Sequence, residues 1–436
     1  MIMKKILFIL LTFFTISSCK QKDKATIAFS NKDISNVITR MTDIMLHDVT
    51  NPPLASRFFS YACLAGCEIV AENNKNIILS GHVLHDYPSM NKPAIAEKSS
   101  YQLAALLAMM EVSKKMQPSG STMMEEYKKK FLDSCSNAGM DDDIINASQQ
   151  YADSITAQIL KYAKADKYNR ISGYNRYQPS NKEGDWEPTP PGFIEAVEPH
   201  FNTLRTFTLD SASQFKPLPP VAFSTAKGSP FMSQLMLNYK DSLSKEHKEI
   251  AAFWDCNPFA IKEQGHLMMS SKKISPGAHW LGITGIACAK ANKSFDETMF
   301  INTIVSVGLM DAFISCWDEK YRSNRIRPET AIRKYIDPNW KPLLQTPPFP
   351  EYISGHSVVS GASAVILTHF FGDNFSYTDS VEVSYGLTPR NFSSFNEAAK
   401  EAAISRFYGG IHYMDAIEKG LDQGEKVGEW VVGKLK

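Results

Sequence analysis

The chain has 436 residues and a formal net charge of +1, so no basic excess points to nucleic acid and no acidic excess points to a solvating tail. Hydrophobic residues make up 43%, which excludes global disorder and suffices for a large core. Any anion-binding site must therefore be built locally.

Residues 1–5 carry two lysines, 6–16 form an apolar run broken only by threonines, and Ser17, Ser18 and Cys19 follow. The run is too short to cross roughly 30 Å of hydrocarbon, and its flanks are those of an export signal. The stretch Ile16-Ser17-Ser18-Cys19 resembles a bacterial lipobox, which implies cleavage before Cys19 and lipidation of its thiol. The expectation is an exported protein, periplasmic or at the cell surface, with 1–19 as signal peptide and the membrane reached by a lipid anchor at Cys19. No later stretch reaches 18 consecutive apolar residues, so the mature protein is expected to be anchored rather than spanning. The remaining cysteines, Cys63, Cys67, Cys135, Cys256, Cys288 and Cys316, form neither a CxxC pair nor a zinc spacing.

Apolar residues recur at three-to-four spacing over 34–46, 58–70, 101–116, 123–135 and 144–163, which predicts five helices. Between 172 and 220 the texture changes: Tyr, Asn, Gly and Pro become frequent, with Pro188, Pro190, Pro191 and Gly192 in close succession after Trp186. Prolines at that density lack the N–H a helix needs, so this stretch predicts a long irregular crossover. Helical periodicity returns over 229–243, 245–254, 277–291 and 295–317. The expected fold class is all-α: an N-terminal helical region (20–220) ending in the Pro-rich crossover, then a C-terminal helical bundle (221–436) of the kind that builds polar sites between facing helices.

Three segments of the last third can carry chemistry. In the first, Lys320 and Arg327 are seven residues apart, about two helical turns, so both can face one direction. Pro328 then disfavours further helix. By itself this is the solvated basic face of any helix. In the second, Phe349-Pro350-Glu351-Tyr352-Ile353 leads into Ser354, Gly355 and His356, followed by a small-residue helix. Ser354, Gly355 and His356 then sit at a helix N-terminus, where unpaired N–H groups and the helix dipole favour an anion. The bland alternative is an N-cap serine beside a flexible glycine. In the third, Gly409 and Gly410 separate Arg406 from His412, so the chain can bend and bring both side chains together. Alone, His412 is as well explained as a structural histidine. Taken together, three cations, a hydroxyl, backbone donors and two imidazoles suit one tetrahedral or trigonal-bipyramidal oxyanion.

The pattern Lys-x6-Arg-Pro, Ser-Gly-His and Ser-Arg-x5-His over 320–412 resembles the three-part signature of the vanadium haloperoxidases and the related acid phosphatases. Weaker likeness to the bacterial haloperoxidases extends upstream through Phe253-Trp254-Asp255, Pro276-Gly277-Ala278-His279-Trp280 and 311–317. The resemblance implies vanadate as cofactor, bound to a nitrogen of His412, with Lys320, Arg327, Arg406, Ser354 and the Gly355 N–H holding its oxygens. His356 would handle the proton as hydrogen peroxide coordinates, and Lys320 would polarise the peroxide. Halide, iodide as the most easily oxidised common one, would leave as hypohalous acid, with a small organic acceptor possible. Trp317 and Phe349 look like the aromatic residues that wall halide pockets. Two other readings use the same pocket: a phosphomonoesterase with His412 as nucleophile and His356 as acid, and an oxyanion-binding lipoprotein without turnover. The chain departs from the family pattern at Ile353, where a proline is usual, and at Ala416, where an acid usually orients the histidine. Asp415 and Glu418 are the nearest substitutes for that acid.

Overall fold

The computed structural model describes residues 27–79, 83–264, 267–270 and 273–435; the signal segment with Cys19 lies outside the described residues. Among them the chain forms thirteen α-helices and two short antiparallel hairpins. Helices appear where the periodicity places them: α1 (Asn31–Asp48), α2 (Pro52–Asn73), α3 (Tyr101–Met116), α4 (Gly120–Asn137) and α5 (Asp142–Lys164). Local chemistry sets their starts. Ser30 and Asp33 form a capping box on α1, and Asn51 accepts from Leu54 N ahead of Pro52 in α2. The prolines and glycines of the crossover leave it irregular but for short 3-10 turns at Tyr168–Gly173 and Phe201–Thr203.

The second half contributes α6 (Pro230–Lys240), α7 (Lys245–Phe253), α8 (Pro276–Lys290), α9 (Phe295–Ser323), α10 (Pro328–Tyr335), α11 (Gly355–Phe371), α12 (Phe395–Tyr408) and α13 (Met414–Gly433). The 29 residues of α9 make a rod about 44 Å long. It packs against α2 on one side and against α8, α11 and α13 on the other, so one large apolar core runs through both halves, with two small clusters beside it among the described residues. Helices α2 and α9 are long and apolar enough to cross a membrane, yet both are buried inside the fold. Buried Asp311 on α9 holds the crossover against it, accepting from Phe207 N, Thr208 N and Thr208 Oγ at 2.7 Å each. The closest helix approach is α11 on α13. A Cβ at Gly424 would stand 2.1 Å from Val358 O, and one at Gly420 would stand 2.9 Å from Ser354 O. Only glycine allows α13 to pass that close behind the loop carrying Ser354.

One local expectation is corrected. Lys320 and Arg327 do not share a helix face, because α9 ends at Ser323 and Asn324 takes the left-handed conformation (φ 45°). Arg327 is instead the N-cap of α10, and Pro328 opens that helix at its first turn, where its missing N–H costs nothing. Asn324 can terminate a helix this way because its short polar side chain tolerates positive φ. All six described cysteines are free and buried.

Candidate active site

The elements around the end of α9 converge on one pocket. Its wall includes Trp317, Phe349, Gly355, His356, Arg406 and His412, with Cys256, Phe259 and Phe313 completing the apolar side. Lys320, Arg327 and Ser354 are fully buried. The three sequence segments thus reach one place, from the end of α9, the start of α11 and the turn after α12.

Ser354 caps α11, its Oγ accepting from Ser357 N at 3.3 Å, so the hydroxyl proton remains available to donate. The N–H groups of Gly355 and His356, in the first turn of α11, have no intrahelical acceptor. A Cβ on Gly355 would project to 3.6 Å from the Trp317 ring and 3.9 Å from Lys320 Cε, so its absence leaves a cradle there. Ile353, at the position where a proline was expected, follows a cis peptide from Tyr352.

The cations are differently engaged. Lys320 Nζ donates to the carbonyls of Pro350, Glu351 and Ile353 at 3.0, 3.2 and 2.6 Å, which uses all three of its protons to hold the loop before Ser354. Phe349 lies under both Lys320 Nζ, 5.0 Å from the ring centre, and Arg327 Cζ, at 5.1 Å. Arg327 donates to Phe349 O and Ile411 O, each at 2.9 Å, and to His412 Nε2 at 3.1 Å. Arg406 donates to Ser405 Oγ at 2.9 Å and to Ala251 O at 3.3 Å. Asp255, the carboxylate nearest Arg406, stands 4.0 Å away and is paired with Lys273. None of the three cations therefore has a carboxylate within hydrogen-bond reach among the described residues. Burial, with the Arg327 charge adding to it, pushes Lys320 down to about 7. Burial likewise lowers Arg327 to about 10 and depresses Arg406. Charge held this way in a low-dielectric pocket calls for an anion.

Both histidines present an unprotonated nitrogen. His412 Nδ1 lies 2.9 Å from Glu351 Oε1, while its Nε2 meets the Arg327 guanidinium. Arginine only donates, so Nε2 is the unprotonated nitrogen and Nδ1 carries the proton toward Glu351. His356 has a backbone hydrogen bond to Trp254, and its buried Nε2 has no partner, so Nδ1 is the donor. Burial and the neighbouring cations hold both imidazoles well below the usual range, hence neutral. A neutral imidazole with a free lone pair can ligate a metal, attack an electrophile or accept a proton.

Sequence reasoning had left the residue behind His412 open between Asp415 and Glu418. The structure places Glu351 there. Its Oε1 accepts from His412 Nδ1 and, at 3.0 Å, from Tyr413 N. Arg325 donates to Glu351 at 2.6 Å and grips Asp415 at 2.6 and 2.7 Å, so Asp415 acts one link further back. Glu418 is exposed. The available signal was a lone carboxylate in an otherwise apolar loop, three residues before Ser354.

Comparison with known proteins follows the same outline. Residues 300–436 match the family model described as the VCPO second helical-bundle domain. A solved bacterial vanadium-dependent iodoperoxidase is 44% identical and superposes with a TM-score of 0.88, covering 95% of this chain and 98% of that one. A bacterial vanadium-dependent chloroperoxidase shares the fold at a TM-score of 0.60 and 15% identity, covering 89% of this chain and 93% of that one. The vanadium-dependent bromoperoxidase of Corallina officinalis is 35% identical over 92 residues, which span 19% of this chain and only 15% of that protein.

Proposed function

The chain belongs to the vanadium-dependent haloperoxidase family, and from that membership we propose that it oxidises halide with hydrogen peroxide on a vanadate cofactor, iodide being the halide. One observation carries the reading: among the described residues, buried Lys320, Arg327 and Arg406 lack carboxylate partners beside a pocket walled by two neutral imidazoles, His356 with an unpartnered Nε2 and His412 with an Nε2 held only by Arg327. The donor set fits a metal oxyanion that an imidazole nitrogen could ligate. The close approach that Gly355 permits and the orphaned His356 Nε2 mark where such a group would find backbone donors and supply a missing partner.

Bound vanadate supplies a Lewis-acid centre that activates peroxide without changing oxidation state. The protein does the rest. His412 provides the metal ligand through Nε2, oriented from behind by Glu351 at Nδ1. Arg327 would release that nitrogen and turn its N–H groups onto the oxyanion, which Arg406, the Ser354 hydroxyl and the Gly355 N–H would also hold. Lys320 sits one layer back and adds charge through the loop it holds. His356 Nε2 would accept a proton from incoming hydrogen peroxide and return it as the O–O bond breaks; halide, hydrogen peroxide and one further proton from solvent then give hypohalous acid and water. Phe259, Phe313, Trp317 and Phe349 keep the pocket dry and polarisable, which favours large, weakly hydrated iodide over smaller halides.

Export and lipidation at Cys19, with small organic molecules as acceptors of the oxidised halogen, complete the proposal. The functional test is iodide oxidation by vanadate-reconstituted protein with peroxide, beside p-nitrophenyl phosphate hydrolysis by the apo form. Vanadate-dependent triiodide formation supports the reading. Phosphate-ester turnover with no vanadate-dependent oxidation would replace it with the phosphatase alternative.

A further inference from the structure

A second cluster of ligand-type side chains shares Cys256 with the pocket wall and takes no part in the chemistry above. Cys256 follows α7, His279 lies in the first turns of α8, and Glu382 sits in the 3-10 turn Val381–Tyr385. All three are buried. Cys256 Sγ is 3.5 Å from His279 Nδ1, His279 Nδ1 is 3.4 Å from Glu382 Oε1, and the sulfur is 3.8 Å from the same oxygen. Zinc binds sulfur at about 2.3 Å and nitrogen or oxygen at about 2.0–2.1 Å. At tetrahedral angles those lengths give ligand–ligand edges of about 3.6, 3.3 and 3.6 Å in the same order. The triangle therefore already has the dimensions of three corners of a zinc site.

The surroundings match as well. His279 Nε2 is bonded to Asp379 Oδ2 at 2.8 Å, which leaves Nδ1 aimed at the thiol and the carboxylate. A carboxylate on the far nitrogen is the usual outer partner of a metal-bound histidine, because it fixes the ring and strengthens the ligand. The Trp254 ring stacks on His279 with centroids 4.6 Å apart, so the imidazole is held from its face too. Neither Asp379 nor Glu382 has a lysine or arginine partner among the described residues. We propose that Cys256, His279 and Glu382 form a buried zinc site, with Asp379 as its outer carboxylate and solvent as the fourth ligand. Thiolate, imidazole and a single carboxylate select zinc over magnesium or calcium, which prefer all-oxygen shells. Binding displaces the protons held by the thiol and the imidazole. The ion would join three segments more than a hundred residues apart at the extremes, Cys256 and Glu382. It would also fix the turn from which Trp254 reaches His356 and Cys256 walls the pocket.

The test reads metal directly. Full-length protein, purified without chelator, is analysed by inductively coupled plasma mass spectrometry for zinc and vanadium separately, then exchanged with cobalt(II). The expected result is about one zinc per chain, independent of vanadium loading, and a thiolate-to-cobalt charge-transfer band in the near ultraviolet. Cys256→Ser should abolish that band and Cys135→Ser should keep it. Substoichiometric zinc with no cobalt band in the wild-type protein would overturn the proposal, as would a band that survives Cys256→Ser.

Discussion

Replacing Glu351 with Gln removes the charge behind His412 while keeping an acceptor of the same shape. In the native site that carboxylate accepts from His412 Nδ1 at 2.9 Å and from Tyr413 N at 3.0 Å. Hydrogen bonds to charged groups are worth about 1.5–3 kcal/mol and neutral ones about 0.5–1.5 kcal/mol, so the exchange costs the His412 bond about 1–1.5 kcal/mol. That corresponds to roughly tenfold weaker vanadate binding, within the range expected for loss of an outer partner of a metal-bound histidine. Arg325 keeps its two bonds to Asp415, at 2.6 and 2.7 Å, so the fold should persist. The assay is equilibrium vanadate binding to the apo protein, with iodide-oxidation kinetics and Tm alongside. Asp415→Asn, acting through Arg325, should cost less than Glu351→Gln, and Glu418→Gln, on the surface, should cost nothing. Unchanged affinity in Glu351→Gln, or a larger loss in Glu418→Gln, would refute the positioning argument.

The two histidines should separate: His412→Ala is expected to lose most vanadate affinity, whereas His356→Ala keeps appreciable binding but loses about 10²–10⁴-fold in iodide-oxidation rate. Vanadate bound normally by His412→Ala would remove it as the ligand. Arg327→Ala and Arg406→Ala should each weaken vanadate binding by about 1.5–3 kcal/mol in the same titration, and unchanged affinity in both would return them to a structural role. Lys320 is held down from the usual 10.5 to about 7, so between those values the unfolded chain binds more protons than the folded one. Its contribution to apo stability therefore rises with pH across that window and is least favourable below it. Oxyanion binding favours the ammonium form, so vanadate affinity should fall as pH rises above about 7, an effect checked by binding titrations and Tm on either side of that value. Cys19→Ala should release the mature protein from the membrane fraction with unchanged solution activity, and firm membrane retention would exclude lipid at that residue as the anchor.

Local features were legible in the amino-acid order because they are decided locally. The 3.6-residue periodicity that buries one face of α1 or α5 repeats within a few turns, so their extents could be read directly. The start of α11 after Ser354 follows from a capping side chain, and the turn at Gly410 (φ 73°) from the absence of one. The three motifs supplied the cations and imidazoles but not their arrangement. Lys320 and Arg327 meet Phe349 because α9 stops at Ser323 and α10 starts at Pro328 with Arg327 as its N-cap, not because they share a helix face. Glu351 reaches His412 across 61 residues of chain, and only the packing of the 350–353 loop against the turn before α13 brings them within a hydrogen bond. Cys256, His279 and Glu382 show no ligand spacing in the sequence, since each comes from a different element. Their triangle exists only because α8 packs against both the turn after α7 and the segment 377–385. Periodicity and capping depend on neighbours a few residues away, whereas the charge balance of a buried site depends on which distant backbones pack together, and that is settled by the core as a whole.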